Sequence, residues 1–321
     1  MHLIVCSACR GSRLASMSPA SGVELLRCQD CGSSQTNPRP TLLELETNYS
    51  QAYYGPENVK FIPALEQAVN WITQSRVRKI NSLLKPGSKV LEIGCGRGLL
   101  LKSLSQLGHE CHGTERSALA AARASRTAGI KVYTQALHEC GLPGSYFDLV
   151  ILWHVLEHLE DPRETLGVIF RLTKPDGQLL LEVPNYSSLQ ARLSGKHWFH
   201  LDMAHHLHHF SRSGLQRLLI NTGFRLSKTS TFNLEQCPYG ALQSFLNLLG
   251  LPKEQLYQIL KREINPSAPI KLINCLLAAM LLLPATLFSF LEASVNRGGV
   301  LRVVAQRNEN VLPNPADQDA H

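Results

Sequence analysis

Val90–Gly98 reads Val-Leu-Glu-Ile-Gly-Cys-Gly-Arg-Gly, a short apolar strand that leads into three glycines at alternate positions. The helical run Leu99–Leu107 follows at once. Glycine tolerates positive φ angles and has no side chain, so Gly94, Gly96 and Gly98 let a ligand lie against the main chain where a strand meets a helix. Taken alone, the pattern also fits an ordinary glycine loop.

Two acidic residues narrow the kind of ligand. The segment 110–115 reads as a second strand that ends in an acid, and Glu115 is well placed to accept both ribose hydroxyls of a nucleoside. A dinucleotide fingerprint needs its third glycine one position later, where this chain has Leu99. Glu92 inside the first strand would repel a pyrophosphate but would favour a cationic amino-acid ligand.

On these residues the chain resembles the class I S-adenosylmethionine (SAM)-dependent methyltransferases, whose first motif has the form acid-x-Gly-x-Gly-x-Gly. The resemblance continues through Phe147–Val150, His154–His158 and Leu172–Gly177, and it covers roughly residues 90–306. The methyltransferase part is similar to the ubiquinone and sugar types, and the start of the chain is similar to a bacterial subgroup that carries a zinc ribbon. The resemblance implies SAM as cofactor, bound by Glu92, Gly94, Gly96, Gly98, Glu115, Leu137 and Trp153.

The alternation of strands and helices after Lys89 predicts an α/β fold with a doubly wound, Rossmann-like sheet, which the resemblance makes seven-stranded. We predict strands near 89–93, 110–114, 130–134, 147–152, 178–183, 224–232 and 300–306, the last of them antiparallel by resemblance. Helices are predicted over 41–54, 59–84 and 118–128. The predicted divisions are a zinc ribbon (1–40), a helical lead-in (41–85), a SAM-binding methyltransferase domain (86–236), a hydrophobic helical insertion (237–296), the last strand (297–307) and a disordered tail (308–321).

The cysteines near the start have the spacing of a zinc ribbon. Cys6 and Cys9 form one Cys-x-x-Cys pair, and Cys28 and Cys31 form a second. Two such turns complete a tetrahedral site of four thiolates for a structural Zn²⁺, with unliganded thiols as the alternative. We expect the ribbon to fold largely on its own metal-binding energy, independently of the sheet domain.

Six histidines lie between positions 197 and 209. Adjacent side chains diverge, so the stretch does not by itself make a metal site, and we expect one or two of these imidazoles to face the substrate. Histidine titrates near neutrality without help, which makes it the natural base for a hydroxyl acceptor. The predicted catalytic residues are His154 and His206. In quinone-type relatives the segment around Glu157 and His158 holds a divalent metal through carboxylates and a histidine, and His154 stands here where a carboxylate is expected.

The segment 272–291 is apolar over about twenty residues, long enough to cross a bilayer. A single crossing would separate the strand 300–306 from the sheet that it should complete. Pro284 and the basic residues on both sides suit a helix that lies in the membrane interface. The alternatives are a buried helical hairpin and a contact between subunits.

Composition sets wider limits on function. The chain has 321 residues, 44% of them hydrophobic and 18% charged, and a net charge of +7 that permits an anionic partner. Basic residues are sparse in the ribbon and the base-flipping motif is absent, so we expect no nucleic-acid partner. The first residues do not resemble a secretory signal. We expect a cytoplasmic protein, peripheral on the inner face of the membrane through 272–291.

These features predict a SAM-dependent methyltransferase acting on a small or lipid-linked acceptor, through a hydroxyl of a saccharide or an isoprenoid-type aromatic. The alternative within the same class is a ubiquinone-type O-methyltransferase. The alternative from another class is a non-catalytic module that keeps the SAM fold and uses its ribbon for docking.

Overall fold

The computed structural model describes residues 4–20, 23–40, 63–126 and 130–308, and these residues build two sheets. The strands are β1 Leu14–Ala20, β2 Val23–Cys28, β3 Ser34–Asn37, β4 Lys89–Ile93, β5 Glu110–Thr114, β6 Ile130–Tyr133, β7 Phe147–Trp153, β8 Thr173–Pro184, β9 His208–His209, β10 Phe224–Ser230 and β11 Val300–Arg307. The helices are α1 Pro63–Asn81, α2 Leu99–Gln106, α3 Ala118–Ser125, α4 Pro162–Leu172, α5 Leu189–Ser194, α6 Arg212–Asn221, α7 Gln236–Leu248, α8 Gln255–Leu260 and α9 Ala268–Ser294. Short 3₁₀ turns cover Leu137–Glu139, Leu156–His158 and Gly195–His197. The helix predicted over 41–54, the start of the one over 59–84 and the tail after 308 lie outside the described residues.

The larger sheet has seven strands in the order β10-β11-β8-β7-β4-β5-β6. Strands β4 to β8 run parallel to their neighbours among themselves, and β11 is antiparallel to both β8 and β10. The prediction of a seven-stranded, Rossmann-like sheet with an antiparallel last strand is therefore confirmed. The strand order reverses between β4 and β7, which opens a ligand crevice at the carboxyl ends of these strands.

Helices cover both faces of this sheet because its central strands are apolar on both sides. One face is packed by Phe147, Leu152, Leu166, Ile169, Leu218 and Phe224. The opposite face is packed by Val77, Ile80, Val90, Leu101, Leu104 and Ile151. Local signals set the helix ends: Asp161 caps the start of α4, and its carboxylate accepts the N–H groups of Arg163 at 2.8 Å and Glu164 at 2.9 Å.

The smaller sheet joins the ribbon to the larger domain. Its order is β1-β2-β3-β9, and Ser34 and Gln35 pair with His209 and His208. The cysteine turns also pack into the same apolar core as Leu215 of α6. The structure thus differs from the independently folding ribbon that we expected. A segment with so few apolar residues completes its sheet and its core against the rest of the chain.

The insertion is a helical layer with one continuous long helix, α9, which runs through Pro284. It packs against α7 through Leu277, Leu281, Ala285 and Phe288. Near its two ends, Asn274 and Glu292 are buried and bond to Gln255 and Gln190. Among the described residues, α9 is the one helix with the length and hydropathy of a membrane span. Because both of its ends are tied to the domain and β11 follows directly, α9 lies along the domain.

Candidate active site at the carboxyl ends of β4 and β7

The glycine loop after β4 leaves the main chain open. Gly94, Gly96 and Gly98 have φ angles of +68°, +52° and +67°, a region that favours glycine. A Cβ atom at Gly94 would lie 2.6 Å from Cγ2 of Val155, whereas a Cβ atom at Gly96 would meet nothing within 4 Å. Space for a ligand therefore adjoins the backbone at Gly96.

Two buried acids flank this loop. Glu92 is 7% exposed, and burial raises its pKa to about 8 although the charge of Arg76 opposes the shift. Its Oε2 atom has no hydrogen-bond partner among the described residues. Glu115 accepts the N–H of Gly96 at 3.0 Å and that of Ser117 at 2.9 Å. A buried carboxylate group with one such oxygen, beside an open backbone, suits a ligand that carries an ammonium group, so these residues fit SAM.

The other two predicted cofactor contacts lie around the same crevice. Leu137 begins the 3₁₀ turn that follows β6 and packs against the main core. Trp153 ends β7, and its ring centroid lies 3.9 Å from the guanidinium carbon of Arg76 and 4.8 Å from that of Arg302. The structure thus brings every predicted cofactor residue to the carboxyl ends of neighbouring strands; their individual contacts to SAM stay predictions.

His154 is held between two buried carboxylates. Its Nδ1 lies 3.2 Å from Oε1 of Glu157, and its Nε2 lies 3.2 Å from Oε1 of Glu182. Burial alone would lower the pKa of His154, but the two carboxylates outweigh it and raise the pKa to about 10. Both ring nitrogens therefore act as donors, whereas a general base needs one nitrogen that accepts.

Sequence reasoning missed the residues that complete this network. Glu182 is fully buried at the end of β8, where it also accepts from Asn233 and from Nε of Arg302, the latter at 2.7 Å. The sequence did contain one indication of Glu182, because an acidic residue inside the apolar run of β8 must have a polar partner in the fold. Its two donors belong to no sequence motif. Arg302 comes from β11, and Asn233 comes from the segment after β10.

His206 lies on the other side of Glu157. Its Nδ1 is 2.9 Å from the carbonyl oxygen of His200, and its ring meets the ring of His158 edge-on, with the centroids 4.7 Å apart. One ligand atom from each of Glu157, His158 and His206 lies within 4.8 Å of the others. Several other histidines of this stretch are neutral because they are buried, which lowers the pKa of His200 to about 3, of His208 to about 4 and of His209 to about 3.

The four predicted zinc ligands come together in the ribbon. The Sγ atoms of Cys6 and Cys31 are 3.7 Å apart, those of Cys9 and Cys28 are 3.5 Å apart, and all four lie within 4.8 Å of one another. Thiolates around a tetrahedral zinc ion with bonds of about 2.3 Å are separated by about 3.8 Å. The cluster therefore has the dimensions of a zinc site.

Comparison with known proteins assigns the central part of the chain. Residues 72–229 match the sequence family described as methyltransferase domain. Residues 72–229 form a methyltransferase domain. The ubiquinone biosynthesis O-methyltransferase of Pseudomonas aeruginosa (strain LESB58) is 38% identical over 106 residues, and the mitochondrial one of Schizosaccharomyces pombe is 33% identical over 114 residues. These matches cover 31% and 33% of this chain, and 45% and 41% of the relatives.

Solved structures agree with the fold of the methyltransferase domain. The [4+2]-cyclase SpnF superposes with a TM-score of 0.52 at 18% identity, covering 84% of this chain and 98% of that one. A methyltransferase in complex with the Haloferax volcanii Trm112 activator gives 0.50 at 14% identity, covering 76% and 92%. The match to the methyltransferase family supports SAM as the methyl donor.

Proposed function

We propose that the protein transfers the methyl group of SAM to a hydroxyl group of a small or lipid-linked acceptor, either a saccharide or an isoprenoid-type aromatic. The observation that carries the proposal is the buried Glu92 beside the open backbone of Gly96, because its Oε2 atom has no hydrogen-bond partner in the part of the chain that the structure describes. A chain that had lost its cofactor would have little reason to keep a buried acid there. This favours cofactor binding over a docking module that no longer binds SAM.

SAM supplies a methyl group on a sulfonium, which is already an excellent leaving group. The protein therefore has to align the acceptor, exclude water and remove one proton. Glu92 would hold the methionine ammonium and Glu115 the ribose, while Leu137 would flank the adenine. Trp153 and His154, at the end of β7, would close the side of the site that faces the acceptor.

The proton acceptor is expected among the histidines beside Glu157, and we assign His206 and His154 to the catalytic machinery. Because both nitrogens of His154 bond to carboxylates, its role is to orient Glu157 and Glu182. The Nδ1 of His206 donates to a carbonyl, which leaves Nε2 to accept. Of the two, His206 is therefore the better candidate for the base.

The acceptor class is tested with purified protein, methyl-labelled SAM and two extracts, one of membrane lipids and one of soluble saccharides and nucleotide sugars. We expect label on a hydroxyl in one of them. A labelled phenol with an isoprenoid tail would favour the ubiquinone-type alternative, in agreement with the name of the Pseudomonas aeruginosa relative. SAM binding without transfer to either extract would favour a non-catalytic docking module that still binds SAM.

Contact with a membrane surface is the second part of the proposal. The outer face of α9 presents large apolar side chains, each more than half exposed: Leu272, Leu276, Met280, Leu283, Leu287 and Leu291. Lys271 and Arg297 lie at its two ends. Burial among lipids gains about 25 cal/mol per Å² of apolar surface, and the basic residues add a salt-sensitive attraction to anionic head groups. A cytoplasmic protein would thus reach a lipid-linked acceptor.

Liposome flotation tests this contact. We expect intact protein to float with anionic vesicles, and Leu276→Gln combined with Leu283→Gln to reduce the floating fraction. Both leucines are more than 60% exposed, so the changes leave the packing of α9 on α7 intact. Leu107→Gln, at a half-exposed leucine after α2, is the matched control. Protein that stays vesicle-free and forms dimers would favour the subunit contact instead. Replacement of 272–291 by a short linker should release the protein while SAM binding survives.

A further inference from the structure

His206 lies in a tight turn that is closed by its own hydrogen bonds. The N–H of His206 donates to the carbonyl oxygen of Asp202 at 2.7 Å, and its Nδ1 lies 2.9 Å from the carbonyl oxygen of His200. These bonds fix the imidazole relative to the turn, because a carbonyl oxygen only accepts and Nδ1 must carry the proton. They do not fix the turn relative to the end of β7. The place of the ring in the site therefore depends on what holds the turn from outside.

The ribbon holds this turn through Thr36, a buried residue of β3. Its Oγ1 donates to the carbonyl oxygen of His206 at 2.9 Å, and its N–H donates to the carbonyl oxygen of Leu207 at 3.0 Å. The N–H of Leu207 in turn donates to the carbonyl oxygen of Glu157 at 2.9 Å. These three bonds connect β3, the turn with His206 and the 3₁₀ turn after β7 in one row.

The insertion holds the start of the same segment. Oγ of Ser244 in α7 accepts the N–H of Phe199 at 2.9 Å, and Nδ2 of Asn247 donates to the carbonyl oxygen of His197 at 3.0 Å. The segment is thus attached to α7 at its beginning and to β3 at its end. The end that carries His206 is the one that the ribbon places.

Thr36 is itself fixed by the hairpin of β2 and β3. It lies opposite the buried Leu25 of β2, and the N–H of Cys28 donates to the carbonyl oxygen of Ser33 at 2.8 Å. The turn of this hairpin carries Cys28 and Cys31, two of the four residues that fit a zinc ion. The same residues that would hold zinc therefore keep β3 in place beside the turn with His206.

We propose that Thr36 is a positioning residue, whose hydroxyl holds the backbone of His206 so that the imidazole meets the methyl acceptor. This inference rests on the proposed function, in which Nε2 of His206 takes the proton of the acceptor hydroxyl. A general base has to lie within hydrogen-bond distance of the proton that it removes, and small displacements of such a group slow the reaction strongly. The ribbon is then a working part of the active site, which gives it a role other than docking.

Methyl transfer from labelled SAM to the membrane-lipid and saccharide extracts tests the proposal. Thr36→Val keeps the β-branched shape of the side chain and removes its hydroxyl donor, so we expect the rate at saturating SAM to fall about tenfold. The affinity for SAM and the zinc content should not change. Thr36→Ser restores the hydroxyl and should return the rate to nearly that of the wild type.

Ser34→Ala is the matched control for Thr36→Val. Ser34 lies two residues earlier in β3 and is also buried, and its hydroxyl has no hydrogen-bond partner in the part of the chain that the structure describes. Ser34→Ala should therefore transfer methyl groups at the wild-type rate. Circular dichroism and elemental analysis for zinc establish that each variant is folded.

A double variant decides whether Thr36 acts through His206. In a His206→Ala background Thr36→Val has no imidazole left to displace, so the double variant should be as fast as His206→Ala alone. A hydroxyl that only stabilised the ribbon would lower the rate by the same factor in both backgrounds, and that result would overturn the proposal. So would a wild-type rate in Thr36→Val, or a Thr36→Ser variant as slow as Thr36→Val.

Nuclear magnetic resonance of protein labelled at histidine gives a second readout, which needs no acceptor. The ring signal of His206, assigned by its loss in His206→Ala, should shift or broaden in Thr36→Val and stay in place in Ser34→Ala. An unchanged signal in Thr36→Val would contradict the positioning role. If the signal responds as expected but wild-type protein methylates neither extract, the contact stands and the proposed function fails. If an extract is methylated and the signal does not respond, the proposed function stands and this inference fails.

Discussion

Alanine at Gly96 separates the backbone requirement of the glycine loop from cofactor binding. Gly96 has a φ of +52°, and Gly87, in the turn before β4, has a φ of +73°. A Cβ atom at either position would meet nothing within 4 Å. Both alanine variants therefore place a side chain on a residue with a left-handed backbone conformation, which lowers the stability of each to a similar extent. They differ in their surroundings, because only Gly96 lies in the proposed cofactor site.

The expected changes in stability and in SAM affinity follow from this comparison of the two glycines. A left-handed alanine costs about 1–2 kcal/mol, so both variants should lose similar stability, or about 2–8 °C in Tm for a domain of this size. Gly87→Ala should keep the SAM affinity of the wild type. Gly96→Ala places a methyl group where the ligand approaches the main chain, and should weaken SAM binding by more than about tenfold, or about 1.4 kcal/mol.

Calorimetric titration with SAM or its demethylated product, together with thermal unfolding, measures both effects. Gly96→Val should be more severe, and Glu115→Ala should also weaken binding because it removes the acceptor for the ribose. Equal SAM affinity in Gly96→Ala and Gly87→Ala would refute the placement of the ligand. Tight binding of NADH without SAM binding would refute the cofactor itself.

Three further predictions concern stability, the ribbon and the histidines. Burial raises the pKa of Glu292 from 4.5 to about 7 although bonds from Gln190 oppose the shift. The folded chain thus keeps a proton that the unfolded chain releases between these values, and stability should fall by about 3 kcal/mol as pH rises through that window. Urea unfolding at pH 4.5 and 8 should show that the free energy of unfolding changes more in the direction of lost stability in the wild type than in Glu292→Gln, by about 3 kcal/mol; an equal change in both proteins would contradict the burial argument. Elemental analysis should find one zinc ion in the ribbon, and Cys6→Ser or Cys28→Ser should each remove it. Because β3 pairs with β9, loss of zinc should speed hydrogen exchange in β9. The affinity for SAM should not change. His206→Ala and His154→Ala should each lower turnover by about 10²-fold without changing SAM affinity, and wild-type turnover would remove either residue from the mechanism.

The sequence by itself determined the sheet and the cofactor end of the site. The run from Val90 to Gly98 joins an apolar strand, a glycine turn and a helix, and each of these signals is local, so its meaning does not depend on distant residues. The later strands repeat the same alternation, and the two cysteine pairs have a spacing that predicts their cluster. Such features depend on neighbours a few residues away, which the sequence displays directly.

Only the tertiary structure showed which residues come together around His154, on the side of the site where we propose that the methyl acceptor binds. Three features of this region depend on contacts between residues that are far apart in the chain. His154 lies between Glu157 and Glu182, His206 approaches Glu157, and the ribbon adds strands to β9. Composition likewise did not decide whether α9 contacts a membrane, the protein core or another subunit. Its buried Asn274 and Glu292 tie it to the domain and turn its leucines outward. Hydrogen bonds and burial of this kind arise from the packing of whole elements, and no local pattern records which elements will meet.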